Sequence, residues 1–238
     1  MSAAPATVVA PAKLTLSLRI TGVRDDGFHL LDAEMVTIDL ADTLTFDDGD
    51  GLEISGGFDV VPDDSNLVRR ALAVVGRAAR VRVDKRIPPG AGLGGGSADA
   101  AAVLRWAGVD DAARAATLGA DVPFCVRGGR ARVTGVGEIL EPLPFEARTF
   151  TLVLPPFGCS TVDVYRTWDR LGGPTGPGSN DLELAAVAVE PRLAEWRDRL
   201  ADATGQTPQL AGSGSTWFVE GTFPGNDRVV VTTTPPLI

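Results

Sequence analysis

Lysine is nearly absent from this chain of 238 residues. Of 22 basic residues only Lys13 and Lys85 are lysine, and all the others are arginine. A chain so biased uses arginine wherever either cation serves, so each lysine calls for a compact ammonium donor in place of a planar fork. Histidine occurs once, at His29, and raises the same question. Cysteine is limited to Cys125 and Cys159, far apart and without metal-ligand spacing. That excludes a thiolate metal site and reads as two buried, idle thiols in a reducing compartment. Positive charge is in deficit: the net charge of −9 argues against nucleic acid or an anionic membrane as partner. Long apolar runs are missing too. Met1 to Ala10 has neither a positive n-region nor an apolar stretch fit for a signal peptide or a span. A cytoplasmic location is the expectation. Enough remains for a proper core, with hydrophobic content at 44% and mean hydropathy of +0.11. The length suits one large domain or two modest ones.

Glycine is what the chain has in quantity, and it is concentrated. The stretch Pro88-Pro89-Gly90-Ala91-Gly92-Leu93-Gly94-Gly95-Gly96-Ser97-Ala98 follows a short strand pattern, Val81 to Val83, and precedes an apolar helical pattern reaching Trp106. Backbone without side chains approaches a ligand closely and turns its N–H groups inward. Ser97 is expected at the N-cap of the helix, where free N–H groups and the helix dipole favour an anion. A Walker A loop is excluded, because Gly96 stands where its lysine would be. Gly90, Gly92 and Gly95 match G-x-G-x-x-G, but Lys85 to Pro89 separate them from the strand, and Asp110-Asp111 follow a helix rather than a second strand. A phosphate cradle of another kind is the better reading than a dinucleotide loop or a plain surface turn.

The remaining pattern alternates strands and helices. Val8 to Ile20 reads as a strand with Lys13, Thr15 and Ser17 on its polar face, and a turn at Arg24 to Gly27 leads to Phe28-His29. Strands are expected at Glu34–Leu40, from Asp42 to Phe46 and at Leu52–Ile54, and a helix capped by Asp63 to Asn66 from Leu67 to Arg80. Ala112–Leu118 reads as a short helix, and Gly119 to Phe124 as a tight apolar turn holding one acid, Asp121. Arg130–Thr134, Glu138–Leu143, Phe150–Leu154 and Val229–Thr233 read as strands. Ser160 and Asn180-Asp181 cap further helices, and a second glycine loop, Ala211 to Ser215, lies between strand-like flanks.

Phosphoryl transfer needs a cation, a group that takes or orients the acceptor proton, and exclusion of water. Lys13 suits the cation's role, and Asp121, walled by Ala120, Val122, Pro123 and Phe124, suits the base's. Taken alone, each also fits a blander part: a solvated strand face for Lys13 and a turn cap for Asp121.

P-A-K-L-T-L (Pro11 to Leu16), D-G-F-H (Asp26 to His29), the glycine loop from Ile87 to Ala101, L-G-A-D-V-P-F (Leu118 to Phe124), N-D-L-E (Asn180 to Glu183) and A-G-S-G-S-T (Ala211 to Thr216) occur in that order. Together they resemble the GHMP kinase superfamily over nearly the whole chain, and D-G-F-H with G-A-D-V-P-F resembles its branch acting on a cytidine-diphosphate-linked polyol. The resemblance implies an α+β fold in two domains: residues 1–148 like ribosomal protein S5 domain 2, with the ATP loop, and a shortened ferredoxin-like half, 149–238. It implies ATP on Pro88 to Ala98, Lys85 and Asn66, and Mg2+ at the Ser97 hydroxyl. It also implies Lys13 and Asp121 as the catalytic pair, and Thr15, Phe28, His29, Gly212, Ser213 and Gly214 toward the substrate, with cytosine at Phe28 and His29. A small-molecule partner and a monomer or homodimer follow from the same resemblance.

Four departures stand out. Thr15 replaces the family's asparagine and Phe28 its tyrosine, the Trp106–Gly119 segment is short, and no helix pattern lies between Val219 and Val229. A ferredoxin-like half lacking that helix is expected to leave part of a sheet face uncovered. Two alternatives accordingly stay open: a different alcohol acceptor, or nucleotide binding without turnover.

Overall fold

Residues 5–176 and 178–238 are described by the structure, a computed structural model. Its spine is a pair of long antiparallel strands, β1 (Ala6–Val23) and β2 (His29–Asp47). Sequence alternation predicts a break at Ala41, yet one strand of 19 residues runs through it. The reason is Asp42, a polar residue that is fully buried and satisfied within the strand by the backbone N–H groups of Arg86 and Ile87, 2.5 and 2.8 Å away. Register shifts at Pro11/Lys13, Thr15/Ser17 and Ile20/Gly22 let so long a pair bend.

β3 (Gly51–Ser55) is followed by α1 (Leu67–Val75) and β4 (Arg80–Asp84). The expected helix to Arg80 stops early because Gly76 takes a left-handed φ of 65°, and the chain turns into β4. α2 (Gly95–Trp106) buries Ala98 and Ala100 to Leu104 against β1, α1 and α4 (Val122–Arg127), its small side chains allowing close approach. α3 (Ala112–Leu118), capped by Asp111, lies between α2 and α4 in sequence. β5 (Arg130–Gly135) and β6 (Ile139–Leu143) complete a six-stranded sheet of order β3-β4-β2-β5-β6, with β1 on β2.

A second sheet is built from later residues. β7 (Thr149–Val153) leads to α5 (Thr161–Arg170), α6 (Glu183–Val189) and α7 (Arg192–Thr204), then β8 (Gln209–Leu210), β9 (Trp217–Glu220) and β10 (Arg228–Thr232). Its order, β10-β7-β9-β8, is antiparallel throughout. No helix joins β9 to β10, as the sequence indicated. The expected bare face is covered in part: the connecting loop packs Phe223, partly buried, against the core, with Phe223 N–H donating to Thr151 Oγ1 at 3.0 Å while that hydroxyl donates to Gly221 O at 2.8 Å. Thr151, Val153 and Val219 are buried, while Val229 and Val230 of β10 stay exposed, as an incompletely covered sheet predicts.

One continuous core spans both sheets. The seam is stapled by Asn180-Asp181. Leu18 N–H donates to Ser179 O at 2.8 Å and Asp181 N–H to Leu18 O at 2.9 Å. The Asp181 carboxylate accepts from Arg19 at 2.6 Å, Ile20 N at 2.9 Å and Gly176 N at 3.0 Å. Asp181→Ala strands those backbone donors, and a loss of about 2–3 kcal/mol in urea unfolding is the expected result.

Candidate active site

The two sheets leave a cleft of about 780 Å³ between them, within the range of small-molecule sites. One wall is the glycine loop. Gly90, Gly92 and Gly94 all take left-handed φ, 68°, 77° and 69°. Gly90 O accepts from Cys159 N at 3.0 Å and Ser215 N at 3.2 Å, Ala91 O from Thr216 N at 3.1 Å, and Leu93 O from Lys13 N at 3.0 Å. With its carbonyls held from behind, the loop turns its amides toward the cleft.

The N-cap of α2 is Gly94 and not Ser97. The left-handed turn, open to glycine alone, starts the helix three residues early and puts Ser97 inside its first turn. No side chain caps this end. The N–H groups of that turn are therefore free for an anion.

Lys13 reaches the foot of the loop from β1. It is 5% exposed, and its ammonium lies 3.0 Å from Thr15 Oγ1 and 3.4 Å from Asp121 Oδ2. Gly94 leaves room for it, since a Cβ there would meet Lys13 Cγ at 2.8 Å. Asp121 occupies the N-cap position of α4, against the expectation of a plain turn, yet its carboxylate caps nothing. Its neighbours Val122, Pro123 and Phe124 are buried in the helix that follows. A carboxylate free of backbone duties beside an ammonium is chemically available.

Lys85, at the other end of the loop, has a different setting. It is buried and paired with Asp42 and, at 2.7 Å, with Asp99. Burial opposes its charge, but the Asp99 and Asp42 carboxylates outweigh that and raise its pKa. Two buried carboxylates share this one ammonium, so burial pushes the Asp99 carboxyl up to about 7, opposed by the Lys85 charge and helped by that of Asp42. Lys85 lines the cleft with its ammonium already engaged. The cluster ties β2, β4 and α2 together under the loop.

Asn66 caps α1, its side-chain oxygen accepting from Val68 N at 2.9 Å, and borders the cleft. Pro88, Pro89, Ala91, Gly95, Gly96, Ser97, Gly212 and Ser213 line it as well. Leu93 and Ala98 point into the core, Thr15 lies buried beneath Lys13, and Gly214 is set back against Leu210 and Cys159. The far end is formed by Phe28, 60% exposed, and by His29, whose Nε2 lies 2.8 Å from Asp169 Oδ1. Tyr165 packs on the His29 ring with centroids 4.8 Å apart, its hydroxyl pKa raised by burial and by the charge of Asp121.

Sequence reasoning missed Asp42, Asp99, Tyr165 and Asp169 as site residues, and gave Asn180 a helix cap in place of a role at the second glycine loop. Tyr165 and Asp169 are spaced i, i+4 on α5 and so share a face, a pattern visible in the chain. Asn180 braces the second glycine loop by donating to Leu210 O and Gly212 O at 2.9 and 2.7 Å. Both cysteines are buried, and burial pushes Cys125 up to about 12 and Cys159 up to about 11, in keeping with idle thiols.

A two-sheet α+β architecture with a non-Walker phosphate loop defines a GHMP-type kinase fold, and residues 66–129 match the family model for the GHMP kinases N terminal domain. The 4-diphosphocytidyl-2-C-methyl-D-erythritol kinase of Paracoccus denitrificans is 40% identical, over 88% of this chain and 84% of its own. That of Cereibacter sphaeroides is 38% identical over 88% and 87%. A crystal structure of 4-(cytidine 5′-diphospho)-2C-methyl-D-erythritol kinase superposes with a TM-score of 0.77 at 32% identity, covering 96% of this chain and 99% of that one. Mevalonate kinase of L. major shares the fold at a TM-score of 0.67 with 10% identity. The chain belongs to the 4-diphosphocytidyl-2-C-methyl-D-erythritol kinase family.

Lys85→Met would leave two carboxylates buried without their cation. A loss of about 3–5 kcal/mol in chemical unfolding is expected, partly recovered when Asp99→Leu is added.

Proposed function

We propose that this protein transfers the γ-phosphoryl group of ATP to the C2 hydroxyl of 4-(cytidine 5′-diphospho)-2-C-methyl-D-erythritol. The observation that carries the reading is the Lys13–Asp121 pair, 3.4 Å apart at the foot of an uncapped helix end. The triphosphate lies on the amides of Gly95, Gly96 and Ser97, where the helix end attracts negative charge. Asp121 accepts the proton of the attacking hydroxyl, the hydroxyl oxygen bonds to the γ-phosphorus, and ADP leaves with the electrons of the broken P–O bond. Lys13 offsets the charge that builds on the transferred group and holds Asp121 in place. Thr15 keeps Lys13 aimed at that position and does not itself reach the cleft. The family's asparagine is thus replaced by a residue that holds the cation in place.

Mg2+ suits the Ser97 end of the cleft. The Ser97 hydroxyl has no side-chain partner among the described residues, and no carboxylate cage is needed because Mg2+ bound with a nucleotide takes most of its ligands from phosphate and water. Bound there, it would neutralise phosphate charge during transfer. At the other end of the cleft, Phe28 and Tyr165 offer ring faces, and His29 a hydrogen-bonding edge, to the cytosine. No helix among the described residues is long and apolar enough to cross a membrane, consistent with a small polar substrate. We place the protein in the cytoplasm on that chemistry.

ADP release with this substrate and Mg-ATP should fall by a factor of about 10²–10⁴ in Asp121→Asn, the range for removal of a positioned base. Equal rates in wild type and variant would overturn the reading. Gly94→Ala, which crowds Lys13, should lower kcat more than it raises the KM for ATP, as steady-state kinetics would show.

A further inference from the structure

His29 is held from the opposite wall of the cleft. It opens β2, whereas its partner Asp169 lies in the last turn of α5. The Nε2–Oδ1 distance is 2.8 Å. A carboxylate only accepts, so Nε2 carries the hydrogen. Tyr165 packs on the imidazole in a tilted arrangement with centroids 4.8 Å apart, and Trp168 meets it in a T-shaped one with centroids 5.4 Å apart. The ring plane is therefore fixed together with the tautomer. A neutral imidazole with its hydrogen on Nε2 keeps a lone pair on Nδ1. Among the described residues nothing bonds to Nδ1, and the imidazole lines the cleft. The Asp169 side chain is 51% exposed. An ion pair whose carboxylate is so open to water contributes little to stability, and what Asp169 does is hold the His29 side chain, which is only 10% exposed.

We infer that Asp169 is a positioning residue that fixes the tautomer of His29, so that Nδ1 offers an acceptor to the substrate's base and selects an exocyclic amino group over a keto oxygen. The inference rests on the reading above that a cytidine-diphosphate-linked substrate occupies this end of the cleft. Cytosine presents an amino donor where uracil presents a carbonyl acceptor. The amino group bonds to a lone pair on Nδ1, and the carbonyl is repelled by it. Without Asp169 the imidazole can move its hydrogen to Nδ1 and accommodate uracil. Because the two residues come from different sheets' elements, selection of the base depends on α5 being docked beside the start of β2.

The test compares kcat/KM for cytidine- and uridine-diphosphate-linked methylerythritol in wild type and Asp169→Ala. The preference for cytidine should fall by about tenfold, the order of one oriented hydrogen bond, while the melting temperature and the KM for ATP stay unchanged. An unchanged preference in the folded variant overturns the inference, as does a wild type that prefers neither base. The chain's single histidine permits a readout that needs no turnover: the 15N spectrum of the labelled imidazole in mildly alkaline buffer. Wild type should show Nε2 protonated and Nδ1 bare, and Asp169→Ala should show averaging between tautomers. A wild-type spectrum with Nδ1 protonated overturns the inference. If neither substrate turns over, the proposed function fails, and the spectrum still decides whether Asp169 sets the tautomer.

Discussion

The carbonyl groups of the glycine loop are held by the rest of the molecule, and the site depends on that constraint. Gly90 and Ala91 accept from Cys159, Ser215 and Thr216, all in the C-terminal half, while Leu93 accepts from Lys13. A peptide whose oxygen is tied behind the loop has its N–H facing forward, so an anion site is built before any anion arrives. Glycine is required for proximity as much as for φ. A Cβ at Gly90 would meet the Gly158 backbone at 3.0 Å, and one at Gly92 would run into the carbonyl of Ala211. The cradle belongs to both sheets, although its sequence motif lies wholly in the first part of the chain.

The two lysines show how one residue type serves two purposes. Lys13 is nearly buried but meets a single, partly exposed carboxylate across 3.4 Å, a loose pair with capacity left for incoming phosphate. Lys85 is locked between two buried carboxylates and anchors the strand entering the loop. Its value lies in geometry: Asp42 also binds the backbone of Arg86 and Ile87, so the cluster sets the angle at which the chain enters the cradle. Replacing a buried charge cluster of this kind with apolar residues is often neutral for stability. Retaining it is understandable if the loop's aim matters more than its stability.

Shortening of the chain has been absorbed only in part by the second sheet. Between β9 and β10, where a ferredoxin-like half would carry a helix, a loop of few residues crosses the sheet with one aromatic side chain on its underside and two hydrogen bonds through Thr151. Phe223 packs against the core, partly buried, where a helix would otherwise lie. The exposure that remains falls on Val229 and Val230, on the outer strand β10 and away from the cleft.

Much of the fold was legible in the chain. Alternation marked β1, the Asn66 and Ser160 caps marked the starts of α1 and α5, and the glycine run announced a phosphate cradle. Those signals are local, set by side-chain period, capping chemistry and the φ range open to glycine. The scarcity of lysine and histidine singled out Lys13, Lys85 and His29, all three of which border the cleft. Tertiary structure alone decided the rest. Asp42 reads as the start of a fresh strand until the backbone of Arg86 and Ile87 is folded against it, and Ser97 reads as a cap until Gly94 starts the helix before it. The partnership of His29 with Asp169, 140 residues on, joins groups whose spacing carries no period. Local order follows from each residue's own torsions and neighbours, whereas the pairing of distant polar groups is set only when burial removes water and obliges each to find the other.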